Sequence, residues 1–204
     1  MDKKLLWMGV GILIVLGTAA TLSLAFQSPP SFRGTLYGQP FPPAADFSLA
    51  KADGSQFRLS DQRGKIVLLF FGYTSCPDVC PTTLAEMKLL MNELGNAAQN
   101  VQVVFVSVDP DRDTPQRIQA YAGNFYPSFL GLSGSLEELE PIWENYSIAR
   151  ETVESGSAFG VIINHTARLF LIDAQGQMRL SYAYQTPVKD IAHDIQLLLK
   201  QDQP

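Results

Sequence analysis

KIVLLFFGYTSCPDVCP, Lys65 to Pro81, decides how the rest of the chain is read. Its first nine residues form a continuous apolar run, as a strand buried on both faces requires. Directly after it stand the chain's two cysteines, Cys76 and Cys80, one helical turn apart and each followed by proline. From Pro81 the period changes: Leu84, Met87, Leu90, Met91 and Leu94 share one face of a helix that should stop near Gly95. A buried strand thus delivers two thiols to the N-terminus of a helix. Residues four apart there face the same way, about 5–6 Å between Cβ atoms, so they can close on each other or grip one ion.

The pattern continues outward. Val101 to Val108 (VQVVFVSV) is a second buried strand, and Thr114-Pro115 opens a helix towards Phe125 with an N-cap residue and a first-turn proline. Ser135 to Tyr146 reads as another helix. Arg168–Asp173 and Met178–Tyr184 form two strands about a DAQG turn, and Pro187 to Lys200 is a closing amphipathic helix. Upstream, residues 46–65 read as a short hairpin turning at Asp53-Gly54. Strand, helix, strand, helix, helix, hairpin, helix is an α/β order, a mixed sheet flanked by helices. Cysteines at a strand-to-helix junction opening a βαβ unit suit a thioredoxin-like fold.

The 204 residues suffice for one domain, here residues 46–204. A net charge of −5 with no basic stripe argues against nucleic acid as a partner. Ahead of the domain, residues 1–4 carry Lys3 and Lys4, and Leu5 to Phe26 is uncharged and long enough for a transmembrane helix. The lysines predict a cytoplasmic N-terminus and an exported domain. Ser23-Leu24-Ala25 resembles a cleavage site, but the apolar run exceeds the usual 7–15 residues of a signal peptide, so an uncleaved anchor is expected. Residues 27–45 hold five prolines and two glycines and read as a tether.

Export sharpens the question of the thiols, because outside the cytoplasm they tend to be oxidised. A structural disulfide closing so short a loop would add little stability. The helix N-terminus favours thiolate, which serves disulfide exchange and metal binding alike. A third residue separates them. Of two histidines, His193 lies opposite the apolar face of the last helix and reads as solvated. His165, in VIINHTARLFLID, stands where thiol-disulfide enzymes of this fold place a cis-proline, and no proline occurs between Pro141 and Pro187. Two thiolates and an imidazole suit copper, above all Cu(I), and would take zinc only with a fourth ligand. The segment VDPDRDTP, residues 108–115, spaces Asp109, Asp111 and Asp113 like a calcium loop. Thr114 and Ala120 stand where that loop needs glycine and glutamate. It reads instead as a strand-to-helix turn with carboxylates near a helix N-terminus, or as a charged docking surface.

These stretches, with DFSLAKADG, VSVDPDRDTPQRIQAY, FLGLSG and NHTARLFLID in this order, resemble the Sco/SenC family of copper-binding assembly factors of cytochrome c oxidase. The resemblance implies a membrane-anchored copper chaperone, on the bacterial inner membrane with its domain in the periplasm. It implies one copper, as Cu(I) and as Cu(II), held by Cys76, Cys80 and His165, and support of the CuA centre of oxidase subunit II. A periplasmic copper donor would act upstream. Ser75 and Asn164 depart from the common pattern, where histidine and aspartate are usual. Neither removes a ligand, but Asn164 brings no charge to raise imidazole basicity, which predicts weaker Cu(II) binding. A metallochaperone need not be an enzyme. The competing reading is a thiol-disulfide oxidoreductase, with Cys76 and Cys80 as its redox pair, that keeps the oxidase cysteines reduced. A peroxiredoxin-like peroxidase ranks third, since Tyr73 stands where that class carries threonine.

Overall fold

The computed structural model describes residues 31–154, 156 and 161–201. Its strands are β1 (Thr35–Leu36), β2 (Ser48–Ala50), β3 (Gln56–Arg58), β4 (Ile66–Gly72), β5 (Val101–Ser107), β6 (Leu130–Leu132), β7 (Arg150–Glu154), β8 (Val161–His165), β9 (Arg168–Ile172) and β10 (Met178–Ala183). The helices are α1 (Val79–Leu94), α2 (Pro115–Phe125), α3 (Leu136–Asn145) and α4 (Val188–Gln201). Six strands form one mixed sheet in the order β1-β10-β9-β4-β5-β6. The β4, β5 and β6 strands run parallel, while β9 lies antiparallel on the other side of β4. This is the thioredoxin-like α/β arrangement expected from the sequence.

Burial on both faces explains the two apolar runs. Every residue of β4 is buried, and β5 pairs with it in register from Ile66↔Val101 to Gly72↔Ser107. Alternation along β4 feeds two cores. Phe70 stacks on Phe105 at 5.6 Å and faces Thr83, Met87 and Ile191 of α1 and α4. Phe71 turns the other way, 5.5 Å from Tyr146 just beyond α3 and 6.1 Å from Phe170. The helix limits follow local chemistry. Thr114 accepts a hydrogen bond from the Arg117 backbone N–H at 3.2 Å, with Pro115 opening α2. Ser135 and Glu138 close a capping box on α3. Gly95 takes φ 54° after α1, a conformation that favours glycine.

Two features depart from the sequence reading. The expected tether, residues 27–45, is laid onto the domain from Arg33 onward: β1 pairs with β10, Met178 N–H donates to the Pro42 carbonyl at 2.9 Å, and Ala44 N–H donates to the Gly176 carbonyl at 2.9 Å. The cause is Asp194, fully buried on α4. Its carboxylate accepts from the backbone N–H groups of Arg33 at 2.9 Å and Gly34 at 2.8 Å, and from the Tyr182 hydroxyl at 3.2 Å. A buried carboxylate without donors would be costly, so the incoming chain supplies them. The second departure is the antiparallel hairpin of β7 and β8, which pairs Arg150 with His165 and Glu154 with Val161. The proposed membrane anchor, Leu5 to Phe26, lies outside the described residues. Among the described residues no helix is long and apolar enough to cross a membrane.

Candidate metal centre

The cysteine loop leaves β4 at Gly72 and turns tightly, Cys76 N–H donating to the Tyr73 carbonyl at 3.3 Å. Cys80 sits in the first turn of α1, completely buried, while Cys76 is half-buried. The Cys80 backbone N–H donates to Cys76 Sγ at 3.4 Å, one of the free donors of a helix N-terminus. His165, 85 residues further on, ends β8 and places Nε2 3.7 Å from Cys80 Sγ. Its Nδ1 lies 3.2 Å from the Thr166 carbonyl. Donation to that carbonyl puts the proton on Nδ1 and leaves the Nε2 lone pair facing the sulfurs. Edge-on contacts with Phe70 at 6.4 Å and Tyr73 at 6.0 Å hold the ring.

The three ligand atoms all lie within 4.8 Å of one another, the one such group of metal-capable side chains among the described residues. Bonds to thiolate and imidazole run about 2.0–2.3 Å, so ligand atoms of one ion stand no more than about 4.6 Å apart. The group fits a single soft ion with small side-chain adjustment. Electrostatics favour the thiolate. The hydrogen bond from the Cys80 thiol, aided by His165 and the backbone N–H groups of Cys80 and Asp78, outweighs burial and pushes Cys76 down to about 4. The same pairing, together with burial, pushes Cys80 up. Alkylation of Cys76 should therefore hold its plateau rate as pH falls from neutral, halving near pH 4. An ordinary thiol titrates near 8.5 and would lose about tenfold in rate per unit below that. Peptide mapping after pH-jump alkylation checks this; a rate already falling between pH 8 and 7 would refute it.

Gly72 is part of the site. A Cβ there would stand 2.6 Å from Cys80 Sγ and 2.7 Å from Phe105 Cε2. Gly72→Ala should cost about 1–3 kcal/mol through overpacking and displace the ligand sulfur. Thermal unfolding and metal counting on the same variant measure both effects.

Residues 38–200 match the family model described as SCO1/SenC. The chain belongs to the SCO1/SenC family. A SCO2-like protein of Rickettsia conorii is 30% identical over 84% of this chain and 82% of its own length. Apo Sco1 of Thermus thermophilus shares the fold with a TM-score of 0.73 and 38% identity, covering 82% of this chain and 97% of that one. Arabidopsis thaliana ScoI, solved with copper bound, superposes with a TM-score of 0.72 at 28% identity, covering 78% and 98% of the two chains. Bradyrhizobium japonicum ScoI, also with copper bound, gives 0.69 at 32% identity over 76% and 99%.

Against this SCO1/SenC background the sequence-predicted residues fall into place unevenly. Cys76, Cys80 and His165 converge, and His193 lies on α4, outside the ligand group. Asn164 is exposed, and the Nδ1 partner of His165 is the Thr166 carbonyl, so residue 164 is not what orients the imidazole. Of the three aspartates in the acidic segment, only Asp111 is exposed; Asp109 and Asp113 are 3% and 1% exposed. The docking-surface reading fails for these two, because both are spent inside the domain. Arg112 and Arg117, which contact that segment or the site loop, escaped the sequence reading, as did the contacts that Tyr73 and Thr74 make there. Arginines beside aspartates at short spacing look like an ordinary solvated turn until the fold buries the aspartates.

Proposed function

We propose that this protein is a membrane-anchored copper chaperone that carries one copper between Cys76, Cys80 and His165 and supports assembly of the CuA centre of cytochrome c oxidase. The observation that carries the reading is the convergence of two sulfurs and an imidazole nitrogen within 4.8 Å at a helix N-terminus. Copper in the Arabidopsis and Bradyrhizobium relatives supports the choice of ion. Cu(I) suits the two soft sulfurs, and the imidazole extends the set to Cu(II). The half-buried Cys76 borders a groove of about 200 Å³, lined also by Pro77, Asp78, Ile162 and His165. That opening lets an incoming thiolate of the oxidase subunit replace one ligand at a time, a route for handing the ion over.

The anchor would be Leu5 to Phe26, holding the domain on the periplasmic face of the inner membrane. Protease added to spheroplasts should digest the domain, while the chain remains in the membrane fraction. Recovery of a soluble form starting near Phe26 would replace the anchor with a signal peptide. Copper titration of the reduced full-length chain in detergent tests the main reading: one copper per chain, retained through dialysis, is the expected result.

A second reading is favoured by the unequal exposure of the thiols. Cys76 is accessible and acidic, and Cys80 is buried behind it. In that reading the Cys76 thiolate attacks an oxidised cysteine pair of the oxidase subunit, forming a mixed disulfide and releasing one thiolate. Cys80 then attacks Cys76 Sγ, releasing the second thiolate and leaving the Cys76–Cys80 disulfide.

A further inference from the structure

The acidic segment holds no ligand, yet it touches both halves of the ligand set. Asp113 has a fully buried carboxylate. It accepts from the Thr74 backbone N–H at 3.0 Å, the Thr74 hydroxyl at 2.5 Å and the Ser107 hydroxyl at 2.9 Å. Arg117 lies 3.9 Å from the same carboxylate and donates to Thr74 Oγ1 at 2.9 Å and Ser75 Oγ at 3.2 Å. The two residues just before Cys76 are therefore fixed by one carboxylate and its arginine.

Asp109 does the equivalent for the other half. Its carboxylate pairs with Arg112 through Nε, and Arg112 Nη1 donates to the Val161 carbonyl of β8 at 2.9 Å. The guanidinium also lies over the Tyr73 ring, 5.5 Å from its centroid. The Tyr73 hydroxyl accepts from Ile163 N–H at 3.1 Å. Val161 and Ile163 belong to the strand that ends in His165. Arg112 thus sits between the residue that opens the cysteine loop and the strand that carries the histidine.

We propose that Asp109–Arg112 and Asp113–Arg117 form a two-armed brace that sets the separation of the cysteine loop from the histidine strand. One arm positions Cys76 and Cys80, and the other positions His165. The inference rests on the copper-binding reading for its consequence but not for its geometry. None of the four residues is a ligand; each acts by holding backbone that carries one. A planar guanidinium can serve a carboxylate, a carbonyl and an aromatic face together, which an ammonium cannot. Arg150 adds an independent tie from the hairpin, its Nε donating to the Val108 carbonyl at 2.6 Å. The hairpin should therefore stay folded when Arg112 is changed, with the register of His165 loosened.

The two arms predict separable losses in the full-length chain. Arg112→Gln should lower Cu(II) affinity by about 10–100-fold, the range seen when a partner that orients a ligand is lost. Its rate of exchange with a small disulfide should stay at the wild-type value, since exchange needs the cysteines alone. Arg112→Lys should recover only part of the affinity. Arg117→Gln should alter both exchange and copper binding. In the metal-free chain, hydrogen exchange at the Ile163 amide should quicken in Arg112→Gln and stay unchanged in Arg117→Gln. That measurement decides the brace even if the wild-type chain takes up no copper, a result that would sink the chaperone reading alone. Wild-type Ile163 exchange in Arg112→Gln would overturn the brace. So would a parallel loss of thiol exchange and copper affinity in that variant, which would mean general loosening.

Discussion

Cys80→Ala should leave a chain that retains no copper through dialysis, where the wild type retains one ion. Cys80 Sγ is one of the three ligand atoms, 3.7 Å from His165 Nε2 and paired with Cys76. Its removal leaves one thiolate and one imidazole, a pair too sparse to hold a soft ion against solvent and competing thiols. The thiol is fully buried, so its loss also leaves a small gap beneath Gly72. That should cost on the order of 1 kcal/mol, a typical loss for a single substitution and too little to unfold the domain. Thermal unfolding run beside the copper count separates the two effects. Cys76→Ala should lose copper in the same way, with less effect on stability because Cys76 is only half-buried. Full occupancy in a folded form of either variant would remove the site from this cysteine pair.

The second large effect falls on His165 and separates carrier from reductase. His165→Ala should keep a reversible Cys76–Cys80 disulfide, because thiolate attack on a disulfide needs no imidazole. It should lose Cu(II) while Cu(I), content with two thiolates, is weakened less. His165→Leu restores most of the volume against Phe70 and Tyr73 without a lone pair, so it should match the alanine variant in metal binding. In cells, both variants should assemble oxidase poorly at limiting copper and recover when copper is supplied in excess. Fully active oxidase at limiting copper in His165→Ala cells, with inactive oxidase in Cys76→Ala cells, would mean the protein serves as a reductase.

What the sequence determined by itself was decided over short distances. The burial of β4 on both faces is written in the residues of IVLLFFG, which hold no polar side chain to turn outward. The ends of α1 and α2 follow from Gly95 and from Thr114-Pro115, because capping is settled within a turn of chain. The nearness of Cys76 and Cys80 was expected from helical spacing, but α1 begins only at Val79, so the turn closed by Cys76 N–H on the Tyr73 carbonyl is what brings Cys76 back to Cys80. His165 was legible only through the expected fold, since its position beside the cysteines depends on how the separate β7–β8 hairpin packs against Tyr73 and Arg112.

The tertiary structure decided the rest, and for one physical reason: burial of a polar group is fixed by partners far along the chain. Asp109, Asp111 and Asp113 alternate without distinction in the sequence. Thr74, 39 residues earlier, supplies two of the donors that hold Asp113 inward beside Ser107, and Val161, 49 residues beyond Arg112, gives the Asp109 arm its far end. The β7 strand has four exposed residues of five and no alternation to announce it, so its hairpin exists by pairing with the strand that bears His165. Residues from Arg33 onward read as tether because proline and glycine dominate them. They are packed because a buried carboxylate on α4, 161 residues later, takes the backbone N–H groups of Arg33 and Gly34 as donors beside the Tyr182 hydroxyl.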